Sequence, residues 1–449
     1  MAEKKISELT AKGAAVATTD LMVISEVSGA SYVTKSVTGA NIKALVTDAN
    51  MTTSDITTND VSTAKHGFAP KAPNDTAKFL RGDGTWAVPA SGGLTEFTEL
   101  ETTAAPNATV PVNSLTPVTA TTNADIAIVP KGTGAFTLDI ADNTTAGGNK
   151  RGANAIDLQH GTRSNADKVA SGQYSVAIGY NNRAYNTYAV ALGGGVFSGG
   201  SQSVAFQSAT ATGQFGFAHG QRATASGIGG VAFGGYGSGD STASGDNSFA
   251  VGASTASAIF SVAIGESNTA SAQGSSAVGG RNNLANAYLA SVSGGYCTAN
   301  AVEGRQVRGR ALGTVQGETQ KSEFFLSIRT TGNTATTVTV AGGAAGTSNQ
   351  VILSNNSAFR FKGTIIGKQS GSVNASVWDI DGFLVRGANA AATTLNVSNV
   401  TLVENTPAWG TPTLAADTTN GGLRVQVTGA TTTNIQWTAV IDTTEVIYA

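Results

Sequence analysis

The sequence has a single cysteine, Cys297, in 449 residues, so an intrachain disulfide framework is impossible. Its three histidines, His66, His160 and His219, lie far apart in unlike settings. They suggest neither a metal site nor a Ser-His-Asp set. Charged residues make up 12%, about half the ~25% of ordinary domains. The net charge is −2, which leaves no basic footprint for nucleic acid. No run of 18 apolar residues occurs, so no membrane-spanning helix is expected. The N-terminal MAEKKISELTAKG has no apolar core of a secretory signal. No glycine-rich phosphate loop precedes a helix, and helical periodicity is scarce. No cofactor, metal or catalytic set is expected.

What the chain does have is glycine, 56 residues of it, with abundant Thr, Ala, Ser and Asn, and a repeat. From residue 169 to about 300 one unit recurs every 13 to 14 positions. Copies begin at Ser171, Tyr185, Gly199, Gly213, Gly227, Gly245, Ala258, Ala272 and Asn286, with one four-residue slip at 240–244. Each holds an apolar triplet, such as Val176-Ala177-Ile178, Val204-Ala205-Phe206 or Val262-Ala263-Ile264, usually followed by Gly. In a strand the two large residues share one face and the alanine takes the other. Fourteen residues accommodate two short strands and two turns, which predicts a stacked solenoid. At about 4.8 Å per coil, nine coils give a rod of roughly 40 Å. So thin a coil leaves one face uncovered, and the small alanine face is the one expected to meet a neighbouring chain. A threefold homotrimer would cover it.

The recurring S-x-x-A-[VIL]-G with Asn-rich turns resembles the head repeat of trimeric autotransporter adhesins, the YadA-like head. That resemblance implies a left-handed parallel β-roll, three chains wide. Gln207 and His219 depart from the pattern at Gly and Ile positions. A bacterial adhesin of that family needs an export signal and a membrane anchor, and neither is visible here.

The flanks point elsewhere. Residues 1–50 are expected to form a small module: strands over 21–29 and 31–37, then a short helix capped by Thr38. This segment resembles the virion-attachment end of phage tail fibres. Residues 51–168 are expected to be a β-rich shaft. There FLRGDGTW resembles a fibre segment that turns tightly, with Phe79 and Trp86 as small-core anchors. Strands are expected at 126–129 and 136–140, with Asp139, Asp142 and Asp157 as solvated turn residues. Residues 301–319 read as a linker or collar, and 320–449 as a β-sandwich or jelly-roll-like tip of about eight strands. The tip resembles the host-facing C-terminal domain of phage tail fibres.

Several residues are candidates for contact chemistry. Trp409, between Pro407 and Pro412, is the aromatic expected to be exposed, and aromatic faces stack on sugars. Asp379 and Asp381 share a strand face about 7 Å apart, a spacing compatible with glycoside chemistry but common on solvated faces. Arg305, Arg308 and Arg310 form the one basic run. They could hold an anion, or form an ion-paired collar with Glu303 or Glu318. The resemblances together imply an all-β homotrimeric phage tail fibre located on the virion. Its N-terminus would bind a tail or baseplate adaptor protein. Its tip would bind a host surface glycan or outer-membrane protein, with no nucleic-acid partner. The alternatives are a polysaccharide-degrading tail spike and a capsid head fibre.

Overall fold

The computed structural model describes residues 21–28, 31–41, 73–88, 97–102, 112–118, 123, 125–234, 239–313 and 315–448. The chain divides into two units, 1–127 and 128–449. In the first, strands Leu21–Ser28 and Ser31–Thr38 form an antiparallel hairpin. The Asn41 N–H donates to the Thr38 hydroxyl at 3.2 Å, the start of the expected helix; its remainder and His66 lie outside the described residues. A second hairpin joins Phe79–Leu80 to Trp86–Ala87. Its turn is closed by Arg81 N–H to the Thr85 carbonyl at 2.7 Å. Phe79 is 45% exposed, so it is no core anchor: a two-residue strand gives it too little surface to pack on. A third hairpin pairs Phe97–Thr102 with Val112–Pro117.

The second unit is all-β and contains a β-solenoid of about nine turns in the repeat. Each turn stacks its triplet in parallel register on the next. Val176, Val190, Val204, Phe217, Val231, Phe249 and Val262 form one continuous row. A second short strand per turn makes a parallel row of its own through Ala184, Ser198, Ala211, Ala225, Ala243, Ala256, Ala270 and Ala285.

The faces are the reverse of the expectation. Ala177, Ala191, Ala205, Ala218, Ala232, Ala250, Ala263 and Ala277 are fully buried inside the single chain, against the alanines of the second row. The large flanking residues point outward. Coils of about fourteen residues close tightly, so small side chains fill the space between the two strands, and only at the last coils do Val292 and Val307 take the inward position of the alanines. Branched and aromatic side chains therefore go to the outside. There Phe206, Phe217, Phe233 and Phe249 stack as a tilted ladder at centroid distances of 5.5 to 6.1 Å. His219, in an isoleucine position, sits between Phe206 and Phe233. Gln207 takes the left-handed conformation that its neighbours assign to glycine. At Gly179, φ is +119° and an added Cβ would lie 2.0 Å from the Gly193 carbonyl oxygen of the next coil. Only glycine permits both the turn and the close stacking.

The turns are held by buried amides. The Asn182 side chain donates to the Ile178 and Gly193 carbonyls, both at 2.7 Å, and accepts from Val196 N–H. Asn268 and Asn283 repeat the clamp. Cys297 takes the next position, with its N–H donated to Asn283. Bonding across coils satisfies groups that would otherwise be buried unpaired.

The ladder exceeds the repeat at both ends. Phe136–Thr137 and Ile156–Gln159 stack in parallel ahead of it. Gln306–Arg310, expected as linker, stacks on Ser291–Gly295 behind it. In the first coils, polar side chains replace alanine. Asp157 is in register with Ala177, fully buried, and paired with Arg151 at 2.5 Å. Asp139 pairs with Arg163 at 3.0 Å and with His160 at 2.7 Å. Asp139 and Asp157 are thus not solvated turn residues: they close the end of the solenoid, where no further alanine coil stacks. Asp142 does cap a turn, through Thr144 and Gly147. Residues 126–129, expected as a strand, form none among the described residues, and Val129 is 82% exposed.

The C-terminal part grows directly from the roll. Thr319–Thr330 pairs antiparallel with the roll's last strand through residues 320–323. Beyond it follow Ile435–Ile447, Ser357–Gln369, Ala375–Arg386 and Thr393–Thr406, each antiparallel to its neighbour. A smaller sheet pairs Gly422–Thr428 with Ala335–Thr337, Val351–Ile352 and Gly410–Asp417. The two sheets share one core, which includes Phe324, Phe359, Phe361, Trp378, Leu423 and Trp437.

Candidate functional site

Strand alternation sends Trp378 and Ile380 into this core and leaves Asp379 and Asp381 on the outer face of the large sheet. Register then builds a charged row across the strands. Asp442 lies opposite Lys362, Lys362 opposite Asp381, and Asp381 opposite Asn399. The adjoining row places Thr364 beside Asp379. Lys362, Thr364, Asp379, Asp381 and Asp442, together with Thr401, line an open groove of about 540 Å³.

Each carboxylate in the groove has a partner. Asp379 accepts from the Thr364 hydroxyl at 2.9 Å. Asp381 accepts from Asn399 Nδ2 at 2.7 Å and is ion-paired with Arg360. Asp442 pairs with Lys321 at 2.9 Å. The Asn399 hydrogen bond, with Arg360 beside it, holds the Asp381 carboxyl below its ordinary value of 3.8. Asp381 is therefore an anion near neutrality, equipped to accept hydrogen bonds from hydroxyl groups. A general acid for glycoside cleavage would need the opposite shift. Among the described residues no group of three or more His, Cys, Asp or Glu is placed to hold a metal.

The arginine run is not one cluster. Arg308 and Arg310 are exposed on the last strand of the roll, and Arg308 lies opposite Lys321 and borders a small cleft of about 240 Å³. Arg305 is only 1% exposed. It is ion-paired with buried Glu445, its Nε donates to Ser322 at 3.0 Å, and its Nη1 donates to the Ala299 carbonyl at 3.2 Å. Its guanidinium lies 5.1 Å from the Phe324 ring centroid and 5.9 Å from that of Phe359. Glu445 also accepts from Gln320 at 2.8 Å and from Thr443 at 2.5 Å. Arg305 is thus removed from any anion site; it fastens the roll to the C-terminal sheet. Its partner lies 140 residues away, rather than at Glu303 or Glu318.

Trp409 is also not a surface platform. It is 6% exposed and packs edge-on against Trp437 at 5.5 Å. Asn405 clamps its backbone, accepting from Trp409 N–H and donating to its carbonyl. The strand Gly410–Asp417 that follows it pulls the indole into the core. Cys297 is fully buried, and burial pushes its thiol above the ordinary value.

Comparison with known proteins adds to this picture at the roll. The family model "YadA head domain repeat (2 copies)" matches residues 170–195, 211–236, 239–255 and 256–282, all within the solenoid. No curated protein sequence matches the chain. Among solved structures, the Acinetobacter baumannii phage AM24 tailspike protein is similar at 10% identity and a TM-score of 0.18, over 65% of this chain and 60% of that one. The Acinetobacter phage vB_ApiP_P1 tailspike protein is similar at 8% identity and a TM-score of 0.17, over 70% and 80%. Likenesses this low bear on neither fold nor function. The chain spans less than two thirds of the length of the first.

Proposed function

We propose that three copies of this chain assemble side by side into a virion fibre or spike that attaches a phage to its host surface. The observation that carries this reading is the outward apolar ladder of the roll. Half-buried Val and Phe side chains run unbroken from Val176 to Val262 over successive coils, beside a second row of Ile, Leu, Phe and Val that His219 interrupts. Completing the burial of each is worth about 1 kcal/mol, part of the ~1.5–3 kcal/mol for a whole side chain. A parallel neighbour with the same repeat matches the ladder rung for rung, and threefold closure leaves no copy uncovered. The match to the adhesin-head repeat and the fibre-like flanks support this reading.

In this assembly the roll is a stiff spacer. The N-terminal hairpins would engage an adaptor on the particle, and the C-terminal sheets would meet a surface glycan or protein. Three equivalent weak sites per fibre raise avidity through effective concentration. The Asp379–Asp381 groove would contribute hydroxyl-binding acceptors. Adhesion to host cells by the purified full chain, followed by sedimentation with the cells, tests the reading; absence of binding to any host strain sinks it. Release of reducing ends from host polysaccharide would replace it with the degrading spike.

A further inference from the structure

A second groove, about 930 Å³, opens on the large sheet. It lies where the long strands overrun the roll: residues 324–330 extend beyond those paired with the roll's last strand. Register aligns three side chains across it. Arg329 is opposite Gln436, and Gln436 is opposite Lys368. The two cations stand two strand spacings apart, about 10 Å, on either side of one amide.

These side chains are held in place but not neutralised. Arg329 Nε donates to Gln436 Oε1 at 3.3 Å. The Lys368 ammonium donates to the carbonyls of Gln369 and Ser372. Among the described residues neither cation has a carboxylate partner, and no carboxylate lines the groove. On the same face, by contrast, Arg360 is paired with Asp381 and Lys321 with Asp442. Beside the cations Ile366 is 46% exposed, a small apolar surface within a polar rim. The rim is tied by Ser370 N–H to the Asn434 carbonyl at 2.9 Å. Beneath, Trp437 Nε1 donates to the Thr330 hydroxyl at 2.9 Å, and the indole packs between Trp378 and Trp409. The floor is therefore rigid.

A ligand fitting this set carries an anionic group, several hydroxyls and one apolar ring face. We propose that the groove binds a carboxylated sugar residue of an acidic polysaccharide. The Arg329 guanidinium takes the carboxylate through charge-assisted hydrogen bonds. Gln436 and the rim take ring hydroxyls, Ile366 meets the apolar ring face, and Lys368 receives the next negative charge along the polymer. This assignment rests on the attachment reading and names the ligand of its contact surface.

The test uses the full chain and three probes: oligogalacturonate, a neutral dextran oligosaccharide and inorganic phosphate, each measured by calorimetry at low and high salt. Binding of oligogalacturonate alone, weakened by salt and reduced tenfold or more in Arg329→Gln/Lys368→Gln with an unchanged melting profile, is the expected result. Equal binding of phosphate and oligogalacturonate overturns it in favour of a general anion site. Unaltered oligogalacturonate binding in the variant also overturns it. The host-cell assay separates the two readings. If wild type and variant attach equally, the groove is wrong and attachment stands. If wild type binds oligogalacturonate but attaches to no host cell, the groove stands and the attachment reading falls.

Discussion

Glu445→Ala should loosen the whole C-terminal domain, because it strands a buried cation. In the native chain the Arg305 and Glu445 side chains are 1% and 0% exposed. Glu445 accepts from Arg305, Gln320 and Thr443. With the carboxylate gone, Arg305 keeps only Ser322 and the Ala299 carbonyl and remains a charge in a dry site between two phenylalanines. Removing one partner of such a pair costs about 3–5 kcal/mol. Arg305→Met should cost a similar amount, by leaving Glu445 unpaired. The double variant Arg305→Met/Glu445→Leu removes both charges and refills the volume, so it should lie closer to wild type than either single change. Urea unfolding followed by tryptophan fluorescence measures this directly, since Trp378, Trp409 and Trp437 share the one core. Single variants within ~0.5 kcal/mol of wild type, or a double variant with additive losses, would refute the reasoning.

Other outcomes follow from named contacts. Gly179→Ala should cost more than about 2 kcal/mol, through a positive φ and a clash with the next coil, and should appear as early melting of the roll by circular dichroism. Trp409→Ala should cost about 3–5 kcal/mol by fluorescence-detected unfolding; an unchanged midpoint with lost glycan binding would restore it as a surface platform. Cys297 should resist thiol reagents in the native chain and react only once the chain is unfolded; mass spectrometry after maleimide treatment decides. Asp417 has two opposing influences on its carboxyl. Burial pushes it up, but hydrogen bonds from Asn420, Gln350 and Thr419 outweigh that and hold it below the ordinary 3.8. A carboxyl depressed in the folded state stabilises above its unfolded value, and the contribution fades as pH falls through the folded one. Asp139, where burial is likewise outweighed by His160 and Arg163, acts in the same direction. Stability should therefore hold from neutrality to about pH 4 and decline below it; an acid melting series without that decline contradicts the pairing.

The triplets Val-Ala-Ile made the strands and their stacking legible, because alternation and a constant period need no long-range information. They did not reveal which face is inside. Both faces are apolar, and the outcome depends on the width of a closed coil, a three-dimensional quantity. Asp157 read as a turn residue because its register with Ala177 spans a 20-residue coil with no repeat pattern. Trp409 read as exposed because it lies between Pro407 and Pro412, yet Gly410–Asp417 is a strand: its register shifts between Gly410 and Thr413, and proline is tolerated at such an irregularity. That missed strand is what buried Trp409. Asp379 and Asp381 alternated outward as read, since one strand suffices to place them. The Arg305–Glu445 pair and the row Arg329–Gln436–Lys368 join distant strands, and only the pairing register brings them together.

The central claim is that the outward ladder of the roll is covered by two further copies of the chain. The mass of the full chain in solution by sedimentation equilibrium tests it most directly. One chain weighs 45.0 kDa, so a trimer weighs three times 45.0 kDa, about 135 kDa. That mass, unchanged on dilution, is the expected result; a stable species at the mass of a single chain contradicts the account.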